Sequence, residues 1–220
     1  MTNLVDKEVA AFILKDRHNL ELAFDVEEAM LGGVGRSMSD TGEGVHALLI
    51  QGILQALEDQ VRNQLGGGWD IEITPHTLWG SMTVRRPTWP KLRVNEKYPD
   101  PVPAQIFLGT TKGAWKNVVM AFRAWRFEFP DPGRRNLTSA LLQEMGPGAW
   151  SDDQWAAIKL LSHNDWSDRQ FLVDIGYAAY RARQADGTPP WEIKELGDCL
   201  VSMAQVADKA VPVEWSRTGS

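Results

Sequence analysis

Asp70 and Glu72 are two positions apart in an alternating run, residues 69–74, so on an extended strand both carboxylates point to the same side. Two such acids could share a divalent cation and activate water against a phosphodiester. A nuclease site of the acid, acid-x-lysine type also needs a lysine two positions after the second acid, and Thr74 stands there instead. The literal acid-x-lysine is Glu192-Ile193-Lys194, with Asp186 upstream. Pro189-Pro190-Trp191 and the apolar repeat that follows predict a helix start, where Glu192 serves as a favourable first-turn acid. His18, His46, His76 and His163 have no ligand-spaced partners and read as surface or structural histidines. Cys199, the one cysteine, falls among Leu196, Leu200 and Met203 and reads as buried and inert. It leaves no internal disulfide and no cysteine zinc site. No serine sits in a nucleophile elbow. The expectation is no catalytic residue, no metal and no cofactor, with Asp70 and Glu72 as ordinary outward strand acids.

The residues left to do chemistry are arginines beside tryptophans. Residues 104–129 read as two apolar runs, 105–110 and 118–125, joined by a turn marked by Gly109, Lys112, Gly113 and Asn117. Alternation sends Val118, Met120, Phe122 and Ala124 one way, and Val119, Ala121, Arg123 and Trp125 the other. In residues 78–86 the same rule groups Trp79 and Arg85 opposite Met82 and Val84. If the two strands neighbour each other, Trp79, Arg85, Arg123 and Trp125 form an aromatic–arginine binding face. Such a face suits stacking on bases or anchoring a protein. The competing expectation is that a helix carrying Trp155 or Trp166 covers it.

The elements that must position this face follow in order. Residues 6–31 have a helical pattern, with Asp6 as a cap and a break at His18-Asn19. The glycine-rich residues 32–44 lack the lysine and hydroxyl of a phosphate loop and read as a linker. Residues 45–65 are the clearest helix: Leu49, Ile53, Leu57, Val61 and Leu65 recur every four residues, and Gly66-Gly67-Gly68 ends it. Strands are predicted over 69–74 and 78–86, and Pro99, Pro101 and Pro103 form a stiff connector into the hairpin. Pro130, Pro132 and Gly133 read as a turn, with a helix from Asn136 or Thr138 to Gly146. A helix capped by Ser151 follows, then one capped by Ser167-Asp168 that carries Phe171, Ile175 and Ala178. The last helix runs over 192–210 with Leu196, Leu200 and Met203 on one side. Helices, then strands, then helices predict an α+β fold with an antiparallel sheet of about four to five strands. The expected layout is one domain over 1–211 and a tail at 212–220. Within the domain, 1–44 is a helical segment and loop, 45–129 a helix plus sheet, and 136–211 helical.

Across the 220 residues the formal net charge is −6, but it is unevenly spread. Residues 85–135 hold eleven Lys/Arg and four Asp/Glu, a net of +7, which leaves −13 for the remainder. Either the basic strands sit against acidic helices of the same chain, or they form a basic binding face. No apolar run approaches the roughly 18 residues of a membrane span, and no signal pattern opens the chain. A cytoplasmic protein without membrane contact is the expectation.

From Trp69 onward the landmarks run GGGWDI, RRPTWPKLRV, AQIFLGTTKGAWKNVVMAFRAW, then WSDDQWAAIKLLSHNDWSDRQFLVDI. This order, over roughly the last two thirds of the chain, resembles the trailing, tryptophan-rich region of bacterial PD-(D/E)XK nuclease superfamily proteins of the restriction and phage-defence type. The metal-binding acids and the lysine of those nucleases have no counterpart here. The resemblance therefore implies a non-catalytic relative or a recognition part in a defence or counter-defence setting. The leading expectation is a non-enzymatic protein that binds a protein or nucleic acid through the basic, aromatic sheet face. The alternatives are a divergent metal-dependent nuclease whose site is assembled from Asp70, Glu72 and a lysine distant in sequence, and an immunity-type or structural partner.

Overall fold

A computed structural model describes residues 7–32, 44–74, 81–89, 91–92, 102–110, 118–123, 131–152, 155–161, 166, 168–185 and 187–211. The fold is α+β. Six strands form one antiparallel sheet in the order β1-β2-β5-β6-β8-β7. They are β1 (Asp70–Thr74), β2 (Ser81–Arg85), β5 (Gln105–Thr110), β6 (Val118–Arg123), β7 (Ala149–Trp150) and β8 (Trp155–Leu160). A separate two-stranded pair joins β3 (Lys91–Leu92) to β4 (Val102–Pro103). The helices are α1 (Lys7–Ile13), α2 (Arg17–Gly32), α3 (Gly44–Leu65), α4 (Asp131–Met145), α5 (Arg169–Phe171), α6 (Tyr177–Gln184) and α7 (Trp191–Ala210), and a π-helical turn (Leu172–Gly176) joins α5 to α6.

Several expectations change. The break between the first two helices falls at Leu14–Asp16, and Asp16 caps the second by accepting from Asn19 N at 2.9 Å. The proposed Asp6 cap lies outside the described residues. Pro132 and Gly133 belong to α4. Proline in the first helical turn is compatible because its missing N–H has no helical partner there. The Ser151-capped helix is instead the β7–β8 hairpin, with Ala149 opposite Lys159 and Trp150 opposite Ile158. That hairpin extends the sheet beyond the four to five strands expected. Asp168 does cap α5, its carboxylate accepting from Phe171 N at 2.9 Å.

Register separates the sheet into two faces. Ile71 pairs with Val84, Val84 with Ile106, Ile106 with Phe122, and Phe122 with Ala157. These side chains point inward and join Met82, Leu108 and Met120 in the main core under the helices. Leu49, Ile53, Leu57 and Val61 of α3 are all 0 % exposed. α3 packs on β1 and β2 from one side and meets α2, α6, the π turn and α7 on others. Gly66, at φ +70°, ends α3 in the left-handed conformation that favours glycine.

Glu27 of α2 secures the start of α3: its Oε2 accepts from Val45 N at 3.1 Å. Gly44, at φ +81°, leaves the space this contact needs, since a Cβ there would overlap the Glu27 carboxylate. Burial pushes the Glu27 carboxyl above its ordinary range, with the Val45 N–H acting against it and Glu28 adding to it. A carboxyl whose folded value is raised gives stability that is fully present below the unfolded value and is lost as pH rises through the folded one.

Two outcomes follow. Leu57→Ala, by opening a cavity at the centre of α3, is expected to cost about 2–5 kcal/mol in urea unfolding; a loss under about half a kcal/mol would put Leu57 outside the load of the core. Glu27→Gln is expected to gain stability relative to wild type as pH rises from about 4 toward 7. Denaturation midpoints across that range check the sign; a difference that is flat with pH excludes Glu27 as a titrating buried acid.

Candidate functional site

The outer face of the sheet carries the other half of each strand. Asp70 pairs with Arg85, Gln105 with Arg123, and Arg123 with Trp155. The β2–β5 register, with Val84 opposite Ile106, leads Arg85 toward Gln105. Asp70, Arg85, Gln105, Arg123 and Trp155 thus form one polar row across five strands. Arg85 and Arg123 are expected on neighbouring strands, but β5 lies between their strands. Their backbones are therefore about 10 Å apart, two strand spacings. A bulge between Phe122 and Arg123 shifts the β6–β8 register and sets Trp155, not Ala156, opposite Arg123. Trp79 and Trp125, the two aromatic members of the expected face, lie outside the described residues.

A second row runs beside the first: Thr83 opposite Phe107, Phe107 opposite Ala121, and Ala121 opposite Ile158. Val119, Ala121 and Ile158 form a small buried cluster, with Phe107 and Trp155 packed against it. Those two rings lie 5.7 Å apart at a 37° tilt. No described helix contributes to this cluster. The tryptophans expected to cover the face by way of a helix are placed otherwise. Trp155 is part of the sheet on this same face, and Trp166 is buried in the main core, stacked on Phe171 at 6.1 Å.

Charge on the described part of this face is balanced. Arg85 Nε lies 3.4 Å from the Asp70 carboxylate, and Glu72 stands on the same side of β1. Arg123 is half-buried, and burial lowers its pKa from the ordinary guanidinium value. Desolvation makes a charged guanidinium costly to hold at such a position.

Arg86 takes a different part. Its guanidinium lies 4.3 Å over the Trp69 ring, donates to Gly68 O, and reaches the Asp208 carboxylate of α7 at 3.2 Å. The other Asp208 oxygen accepts from Trp89 Nε1 at 3.0 Å. Trp89 in turn meets Trp69 edge-on at 5.6 Å and Phe122 at 5.5 Å. One basic residue of the central segment is thus held by an acidic helix of the same chain, and Arg86 and Trp89 act as a bracket between sheet and helix.

The literal acid-x-lysine falls on a helix, not a strand. Glu192 and Lys194 lie in the first turn of α7, where two residues apart means different sides of the helix. Lys194 Nζ binds Asp198 at 2.7 Å. Among the described residues no three His, Cys, Asp or Glu side chains gather as a metal site. Cys199 is exposed, contrary to the expectation of burial. It lies on the α7 stripe of Glu195, Asp198 and Ser202, which faces a groove beside α4. Part-burial and Glu195 hold its thiol above the ordinary value.

Comparison with known proteins finds no matching family profile, no matching curated protein and no matching solved structure.

Asp208→Ala leaves the buried Trp89 N–H without its acceptor and is expected to cost about 1–3 kcal/mol. Asp208→Asn, which keeps an acceptor oxygen, is expected to cost less. Urea midpoints of both variants test the bracket; equal, negligible losses would show that the indole bond carries no stability.

Proposed function

We propose that this chain is a non-enzymatic binding protein that engages a macromolecular partner, a protein in the first instance, through the outer face of its sheet. The observation that carries the reading is the polar row Arg85–Gln105–Arg123–Trp155. It runs along the edge of an apolar patch on the one sheet face to which no described helix contributes buried residues. An arginine and an aromatic ring beside a dehydrated patch are the elements of a protein-anchoring hot spot. Asp70 and Glu72 on the same side disfavour a phosphate backbone, because like charges would meet. The resemblance to the tryptophan-rich trailing region of phage-defence nuclease relatives supports a defence or counter-defence setting for this binding.

The experiment compares wild type, Arg123→Ala and Trp155→Ala in two assays, each at low and high salt: binding to duplex and single-stranded DNA, and capture of a partner from nuclease-treated host extract. The expected result is a partner retained at high salt and lost from Arg123→Ala whose melting temperature is unchanged. Binding to DNA that weakens steeply with salt would move the reading to nucleic acid, because it reports counterion release. Purified protein is expected to leave plasmid DNA and RNA intact with magnesium or manganese. Cleavage abolished by Asp70→Ala would overturn the non-enzymatic reading.

A further inference from the structure

On the helical side of the molecule, away from the polar row, a cleft of about 940 Å³ opens between the end of α4, the β7–β8 hairpin, the π turn and the N-terminal half of α7. Its lining includes the apolar side chains of Met120, Phe171, Leu196 and Met203. A shallower hollow of about 470 Å³ shares Glu144, Trp191, Glu195 and Cys199 with it, so the two form one groove along α7. Trp191 stands on the rim, 67 % exposed, an unusual position for so large an apolar ring.

The charges in this groove are unequal. Glu144, Glu192 and Glu195 line the larger cleft against a single Lys159. Lys159 is already engaged: its Nζ donates to Met145 O at 2.7 Å, at the C-terminal end of α4, where a cation is favoured by the helix dipole. Glu144 accepts from Ser202 Oγ. Asp198, at the side of the groove, is taken up by Lys194 and Gln64, each at 2.7 Å, and by Gln60 at 3.1 Å. Among the described residues the carboxylates of Glu192 and Glu195 make no hydrogen bond or ion pair. The groove therefore offers an apolar floor, an accessible indole and two uncommitted carboxylates.

We propose that this groove binds a small organic cation, an ammonium group carrying an aryl or alkyl tail. The tail fits against Met120, Phe171 and Leu196, and the ammonium meets the Trp191 face and the Glu195 carboxylate. Indole faces attract ammonium groups through the ring quadrupole, and concave apolar sites with a few convergent polar groups are the ordinary form of small-ligand sites. An anion of the same shape meets Glu144, Glu192 and Glu195 and is repelled. Burial is the first cause of the raised Cys199 thiol; Glu195, Asp198 and Glu144 add to it and Lys159 acts against it, so the acids outnumber the base around it.

The test uses three probes of similar shape: benzyltrimethylammonium, benzyl alcohol and phenylacetate. Their binding is followed by the indole N–H resonance of Trp191, assigned with Trp191→Phe. The expected result is a saturable shift with the cation, a weaker one with the alcohol and none with phenylacetate. Glu195→Gln is expected to weaken cation binding about tenfold, as loss of one close charge contact does. Cys199, the one cysteine, supplies a second measurement that needs no acid variant. A trimethylammonium-bearing methanethiosulfonate is expected to modify it at least about tenfold faster, relative to the sulfonate-bearing reagent, than it does a free thiol in solution. Binding of phenylacetate equal to that of the cation, no saturable shift with any probe, or equal relative rates for the two reagents would each overturn the proposal.

Discussion

Close helix packing around α3 is the constraint on which the other elements depend. α3 contributes buried residues on more than one side, from Leu49 and Ile53 to Ile50, Leu54 and Ala56. A helix that is apolar over so much of its circumference must be surrounded. The sheet closes one side and the helical layer the others. That enclosure demands short interaxial distances, and two glycines supply them. Gly52 faces the carbonyl of Gly176, and a Cβ on Gly176 would come within 3.0 Å of Leu49 Cβ. A Cβ at Gly52 would meet that carbonyl at ordinary contact distance, whereas one at Gly176 would require Leu49 or the α5–π–α6 segment to give way.

The π turn is part of the same arrangement. Tyr177 N bonds to Leu172 O, five residues back, so the hydrogen-bonded loop spans one more residue than in an α-helix. Leu172 and Val173 remain buried on one side of it, and Gly176 meets α3. Beyond the turn, Arg183 at the end of α6 returns to α3 through Asp59 at 2.6 Å and Gln55 at 2.6 Å. The sheet's inner face, α3 and this wrapped segment thus form successive layers, and among the described residues the small cluster on the outer face is built from strand side chains alone.

How far the chain could be read from its residues differs by element. α3 was legible because its apolar residues recur at one spacing over five turns and a run of glycines stops it. Both faces of β6 were legible because Met120 and Phe122 alternate with Ala121 and Arg123. The β7–β8 hairpin was misread for a specific physical reason. Asp152 accepts from Trp155 N at 2.9 Å, a bond from residue i to i+3 that also forms at a helix N-cap. Local chemistry is the same in both cases, and Ala156-Ala157 favour a helix. Pairing of Val119, Met120 and Ala121 with Leu160, Lys159 and Ile158 decides for a strand, and that information lies far away in sequence. Arg85 and Arg123 were assigned to the correct face, but the intervening β5 was not anticipated as the spacer between them. Cys199 was misassigned because three apolar neighbours on α7 mark the edge of a buried stripe as readily as its centre. The cleft had no sequence signal, since its described walls come from five separate segments.

The ends of the sheet have a consequence for how this molecule behaves among copies of itself. An unpaired strand edge is a template for another strand, and a long apolar edge invites fibrils. Here β1 presents Asp70 and Glu72 at one edge, both exposed, so a second copy approaching in register would bring carboxylates together. At the other edge β7 is only two residues long and is preceded by Gly146 and Gly148, both at positive φ. One margin is guarded by charge and the other by brevity. A sheet built this way resists extension by further copies at either rim.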